Sequence, residues 1–184
     1  MAAQPSPRAA LEVLETRFRR AMMSLQGSRC GAVVGAAAMG RQIQVLFDPL
    51  AMKYVRLPDG RAVEVEDSGV YLALDWAAWR LEAEGRIACS STSSTGIGSH
   101  MDQGIQCLKG CRVLDVQLVK VSFDLHLTFD GDVVLAVFCD QTNRNERLEN
   151  YSLRFGPDYF TVGSESALAC ELSTPNEAAV ILTR

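Results

Sequence analysis

The sequence predicts a mainly β protein: an N-terminal α-helix followed by two duplicated antiparallel β units, packed as a sandwich or barrel-like body. Three observations carry that prediction. The hydrophobic period changes from helical to alternating after Gly27. Short alternating stretches are separated by explicit turn sequences. Residues of the first half also recur, in order, in the second.

The helix comes first. Leu11, Leu14, Phe18, Met22 and Leu25 follow at spacings of three and four, so they line one face of a helix over 8–25. Pro5 and Pro7 precede it and Gly27 follows where it stops. Arg17, Arg19 and Arg20 stand in its C-terminal half, where the helix dipole favours cations. A stripe of this kind packs against a domain. Strands come next. Ile43, Val45 and Phe47 alternate with Gln42, Gln44 and Leu46, and Val63 and Val65 alternate with Glu64 and Glu66. Leu125, Leu127 and Phe129 alternate with His126, Thr128 and Asp130. Such alternation marks half-buried antiparallel strands. Pro58-Asp59-Gly60, Asp130-Gly131-Asp132 and Gly156-Pro157-Asp158 are the turns. The continuously apolar run from Val133 to Cys139 reads as a central strand.

The internal matches hold their order. Leu25-Gln26-Gly27-Ser28-Arg29 answers to Leu108-Lys109-Gly110-Cys111-Arg112 at an offset of 83, which also pairs Val33 with Val116. Ile43-x-Val45-x-Phe47-Asp48 answers to Leu125-x-Leu127-x-Phe129-Asp130 at 82. Trp79-Arg80-Leu81 answers to Tyr151-Ser152-Leu153 at 72, and the stretch from Ile87 to Ser93 to that from Phe160 to Ser166 at 73. The change of ten falls in a connection, 31 residues between Phe47 and Trp79 against 21 between Phe129 and Tyr151. Residues 90–99 are rich in Ser, Thr and Gly, a linker composition. The expected organisation is a helix and tail over 1–26, a first β unit over 27–95, a linker over 96–106 and a second β unit over 107–184.

Composition narrows the function classes. The chain has 184 residues, 48% apolar and 22% charged, an ordinary globular balance for one medium domain or two small ones. Lys and Arg number 18 against 22 Asp and Glu, a net charge of −4, which argues against a dedicated nucleic-acid binder. Residues 1–100 hold 11 basic and 10 acidic side chains, whereas residues 101–184 hold 7 and 12. No apolar run approaches the roughly 20 residues of a membrane span. Arg8, Glu12 and Glu15 sit where a signal peptide needs its apolar stretch. A soluble, cytoplasmic protein is expected, with neither nucleic acid nor membrane as partner.

Six cysteines stand at 30, 89, 107, 111, 139 and 170, five of them in or beside apolar segments. They read as small buried hydrophobes rather than bridges, since a chain this long builds its own core. Cys107 and Cys111 have a spacing that could clip a metal, but zinc takes closely spaced ligand pairs and no second pair follows. No metal and no cofactor is expected.

The repeated unit resembles small bacterial β-rich domains of unknown function, duplicated in this chain, of the kind seen among toxin-immunity and other partner-binding proteins. The resemblance is closest in Asp124-Leu-His-Leu-Thr-Phe129, Leu135-Ala-Val-Phe-Cys-Asp140 and Tyr151-Ser-Leu-Arg-Phe155. The first half departs from it at the longer connection and at the Ala/Gly-rich stretch from Gly31 to Ala38. What the resemblance implies is a non-catalytic partner binder. The matching motifs are apolar scaffold and carry no chemistry.

The search for catalytic chemistry agrees with that implication. His100 lies in the linker, and His126 faces away from Leu125 and Leu127 as a solvated strand residue. Gly35 to Gly40 lacks the Lys-Ser/Thr of a phosphate loop and leads into a strand. Glu64/Glu66 and Asp130/Asp132 are spaced to share strand faces, an ordinary feature of solvated edges and turns. Trp76 and Trp79 read as core anchors. The most polar stretch runs from Asp140 to Asn150, and its acids Asp140, Glu146 and Glu149 are the expected partner-binding residues, since acidic surfaces steer basic partners. The leading expectation is an immunity-type inhibitor of a partner protein. A ligand binder or enzyme with a pocket between the units, and a self-associating homo-oligomeric module, are the alternatives.

Overall fold

A computed structural model describes residues 7–36, 39–56, 60–139 and 149–172. Helix α1 (Pro7–Met23) precedes strands β1 (Cys30–Ala36), β2 (Gly40–Phe47), β3 (Leu50–Arg56), β4 (Ala62–Ser68), β5 (Val70–Leu74), β6 (Ala78–Ala83) and β7 (Arg86–Ser90). A one-turn helix α2 (His100–Gly104) runs into a 3₁₀ turn at Ile105–Leu108. Strands β8 (Val113–Leu118), β9 (Leu125–Phe129), β10 (Val133–Phe138), β11 (Glu149–Phe155), β12 (Asp158–Gly163) and β13 (Leu168–Leu172) follow. Sheet one has the order β1-β2-β5-β11-β12-β13 and sheet two the order β7-β6-β10-β9-β8. Both are open, so the body is a sandwich and not a barrel. The apolar run from Val133 becomes β10, the central strand of sheet two.

The first half gives three neighbouring strands to sheet one and two to sheet two; the second half gives three to sheet two and two, β11 and β12, to sheet one, plus β13 at its edge. The register repeats as well. Cys30 faces Phe47 and, after a bulge, Ala32 faces Leu46; Val113 faces Phe129 and, after the same bulge, Asp115 faces Thr128. Leu74 faces Tyr151 in sheet one as Val137 faces Trp79 in sheet two. Backbone bonds are reciprocal, with Cys30 N–H donating to Cys111 O at 2.8 Å and Val113 N–H to Ser28 O at 2.9 Å. Arg29 Nε donates to Gly110 O at 3.0 Å, and Arg112 Nη1 to Gly27 O at 2.7 Å. An approximate two-fold axis therefore passes between Arg29 and Arg112, whose backbones form a β-bridge. Gly27 and Gly110 each follow a helical segment at φ +87°, the left-handed stop that glycine adopts without a Cβ clash.

One expected match shifts. Cys89, not Ile87, faces Leu81 as Phe160 faces Leu153, because β7 carries a register irregularity. Burial agrees, since Cys89 and Phe160 are fully buried and Ile87 is exposed.

The open sides of the sandwich are closed by helices, α1 against β8 and β13, and α2 with its 3₁₀ turn against β7 and β1. Phe18, Met22 and Leu25 are fully buried, and so are Met101, Ile105 and Leu108, each 83 residues on. The segment expected as a linker thus carries a second helical stripe. It joins the halves and also plugs the core. Ser99 Oγ accepts the Asp102 N–H at 3.3 Å, satisfying a free donor of the short helix. Between the sheets, inward residues such as Val45, Leu72, Leu153 and Val162 meet Leu81, Leu127, Leu135 and Val137. Each such burial contributes about 1.5–3 kcal/mol, which is why alternation in sequence suffices to orient the strands. The longer connection of the first half is not a loop: β3 and β4 pair with each other as a projecting arm between β2 and β5.

Candidate protein-binding site

The chain crosses from sheet one to sheet two between β5 and β6 through Asp75–Ala77, at the end of the sandwich where β10 stops at Phe138 and β11 starts at Glu149. The crossover is pinned by three backbone bonds. Asp75 N–H donates to Asn150 O at 3.1 Å, Trp76 N–H to Glu149 O at 3.2 Å and Ala77 N–H to Asn150 O at 3.1 Å. So tight a crossover cannot turn both indoles inward. Trp79 on β6 is the expected core anchor at 2% exposure, but Trp76 is 64% exposed and stands out from the turn.

Two acidic residues are close to that turn in the fold, Asp75 within it and Glu149 bonded to it through the backbone. Asp75 is half-buried, and its carboxyl is pushed up to about 6, first by burial and second by the charge of Glu149. Glu149 opens β11 and is exposed. Of the three acids expected to meet a partner, Glu149 is therefore placed beside Asp75 and Trp76. Asp140 and Glu146 lie outside the described residues. A cleft of about 530 Å³ runs from Asp75 and Trp76 to Arg41, Ser91 and Thr92. On the outer face of sheet one, Tyr159 Oη donates to the buried Ser152 Oγ at 2.9 Å, and the Arg154 guanidinium lies 5.9 Å from the Tyr71 ring centre. Burial pushes the Tyr71 hydroxyl up to about 12.

An exposed indole next to carboxylates suits a Lys or Arg side chain, which gains attraction from the ring face and from the negative charge together. Arg41 on the far side of the cleft sets a limit to how much positive charge can enter.

The remaining candidates are scattered. His126 is half-buried on the outer face of sheet two, edge-on to Phe138 with ring centres 6.0 Å apart. A second cleft of about 460 Å³, between the units, is lined by Glu82, Leu114, Thr128, Asp132 and Val134 among others. Neither cleft is lined by His126 or a cysteine. Glu64 and Glu66 share a face of β4, but Asp130 and Asp132 do not share a strand face. They bracket the β9–β10 turn, where Asp130 Oδ1 accepts the Arg112 N–H at 2.8 Å. All six cysteines are free, and burial pushes the thiols of Cys30, Cys89 and Cys139 up to about 12, so these three stay protonated at neutral pH. Cys111 Sγ donates to Cys107 O at 3.1 Å. Among the described residues no three His, Cys, Asp or Glu side chains are grouped to hold a metal ion. Among them, too, no helix is long and apolar enough to cross a membrane.

No protein-family model, curated protein or solved structure matches the chain.

Sequence reasoning missed Asp75 and the exposure of Trp76. The signal was present in the internal matches: the paired strands make Asp75–Ala77 the counterpart of the polar stretch from Asp140, where the partner-binding acids were expected.

Proposed function

We propose that this chain is a non-catalytic intracellular protein that binds a partner protein in the manner of an immunity-type inhibitor, and that its two units are duplicated copies of one bacterial β domain. The partner presents basic side chains to the crossover end. Trp76 offers them an aromatic face there, Asp75 and Glu149 supply negative charge, and Asp140 and Glu146 belong to the same proposed set of partner-binding acids. One observation carries this reading: an indole 64% exposed on a turn fixed by its backbone bonds, beside Asp75 in the chain and hydrogen-bonded through its N–H to the Glu149 backbone. Large aromatic side chains so displayed are the usual anchors of protein interfaces. The repeated register and reciprocal bonds support duplication, and six free thiols suit the reducing cytoplasm.

The test is capture from the native host with about micromolar bait, the wild-type chain beside a Trp76→Ala/Glu149→Lys variant, followed by direct binding of the recovered protein. A partner held by the wild type and lost by the variant is expected. No partner, or equal capture by both, overturns the proposal. The cleft running to Arg41, Ser91 and Thr92 favours one second reading, a small ligand bearing both charges, which calorimetry with amino acids and short peptides would detect.

A further inference from the structure

Beyond β13, which has no counterpart in the first half, the two halves depart from one layout at two places. The first half inserts the β3–β4 arm where the second has only the turn at 130–132, and α1 runs for 17 residues where α2 makes a single turn. Both departures leave apolar side chains in water, and they carry opposite charge.

On the arm, Met52 faces Glu66 and Tyr54 faces Glu64 across the strands, so these four side chains share one surface. Met52 is 56% and Tyr54 72% exposed, and both glutamates are exposed. A two-stranded ribbon is marginal in water, and this one pairs with no third strand among the described residues. On α1, Phe18, Ala21, Met22 and Leu25 face the core. The opposite side presents Val13, 61% exposed, with Met23 and the exposed Arg17 and Arg20. Arg17 Nη2 donates to Asp158 Oδ1 at 2.8 Å, whereas Arg20 forms no ion pair with a described residue.

These surfaces belong to different parts of one copy. The arm leaves sheet one between β2 and β5, with Leu50 against Gly31 of β1 and Asp67 3.8 Å from Arg154 of β11, whereas α1 packs at the edge on β13 and β8. We propose that the chain forms a two-fold dimer in which the acidic arm face of each copy lies along the basic back of α1 of the other. Reciprocal contacts of this kind close on themselves and do not propagate. The opposite charges set the register and steer the encounter. The crossover end stays free, because the arm emerges from β2 beyond Phe47, at the opposite end of the strands from Asp75. The dimer therefore stands independently of the partner-binding reading.

Light scattering and sedimentation of the full chain test it. The expected mass at high concentration is twice 20.1 kDa, dissociating as salt is raised. Glu64→Lys and Arg20→Glu each weaken self-association about tenfold or more, and the double variant restores it. Both positions are on the surface, and circular dichroism confirms that each variant is folded. A monomer up to the solubility limit overturns the proposal. So does a dimer indifferent to either substitution, or a double variant that associates no better than the singles.

Discussion

Replacing Asp75 with Asn isolates the electrostatic strain of the crossover. The carboxyl is raised from its ordinary 3.8 to about 6, by burial first and by Glu149 second. At about 1.4 kcal/mol for each tenfold change in proton affinity, the ionised group costs about 3 kcal/mol at neutral pH. Its remaining exposure and solvent screening reduce the measurable part to about 1–2 kcal/mol. The sign follows from linkage. A carboxyl raised in the folded state contributes its stability below the unfolded value, 3.8, and loses it as pH rises through about 6. Asp75→Asn therefore unfolds at higher urea than the wild type at about pH 7.5, and the gap closes as pH falls below about 4. Glu149→Gln gives a smaller gain with the same direction, because it removes only the second cause. Urea melts followed by tryptophan fluorescence at several pH values would read both. A variant less stable than wild type at neutral pH, or a difference that does not change with pH, refutes a strained carboxyl at this turn.

Other outcomes test the fold and the site. Charge reversal at Asp140, Glu146 and Glu149 should leave the melting temperature nearly unchanged and slow association with a partner identified by capture, read by stopped-flow mixing. Met101→Ala, in the segment expected as the linker, should cost about 2–5 kcal/mol in chemical denaturation, whereas Leu11→Ala on the overhanging helix should cost less than about 0.5 kcal/mol. Gly104→Ala would set a Cβ 2.7 Å from Cys89 Sγ and 2.8 Å from Ala88 O, and should lower stability by about 1–3 kcal/mol in the same assay.

What the sequence revealed follows the reach of its signals. Alternation located β2 and β9 because each strand has one face against the core, and a continuous run located β10 because both its faces are largely covered. The helix stripe was legible at Phe18, Met22 and Leu25, yet Leu11 belongs to that stripe by spacing and is exposed. Periodicity reports a helix face without saying how far the body beneath it extends. The Ser/Thr/Gly stretch at 90–99 drew the linker boundary on past Met101 and Ile105, so the helical spacing of Met101, Ile105 and Leu108 just beyond it went unread. Trp76 was misread for a similar reason: an indole is usually buried, and only the backbone bonds from Asp75–Ala77 to β11 reveal that this one is turned out. The arm had no signal of its own beyond the extra length, since its strands alternate as core strands do.

Because strands from both halves complete each sheet, the interior belongs to neither half alone. A residue such as Leu72 is walled by β11 of the other half, so a change of volume in one half has to be met by a change in the other. The outward parts carry no such obligation. Crossovers and turns answer only to solvent and to whatever they touch, and one half can acquire an arm or lengthen a loop without consulting its counterpart. The interior holds the two halves alike while the periphery is free to make them different.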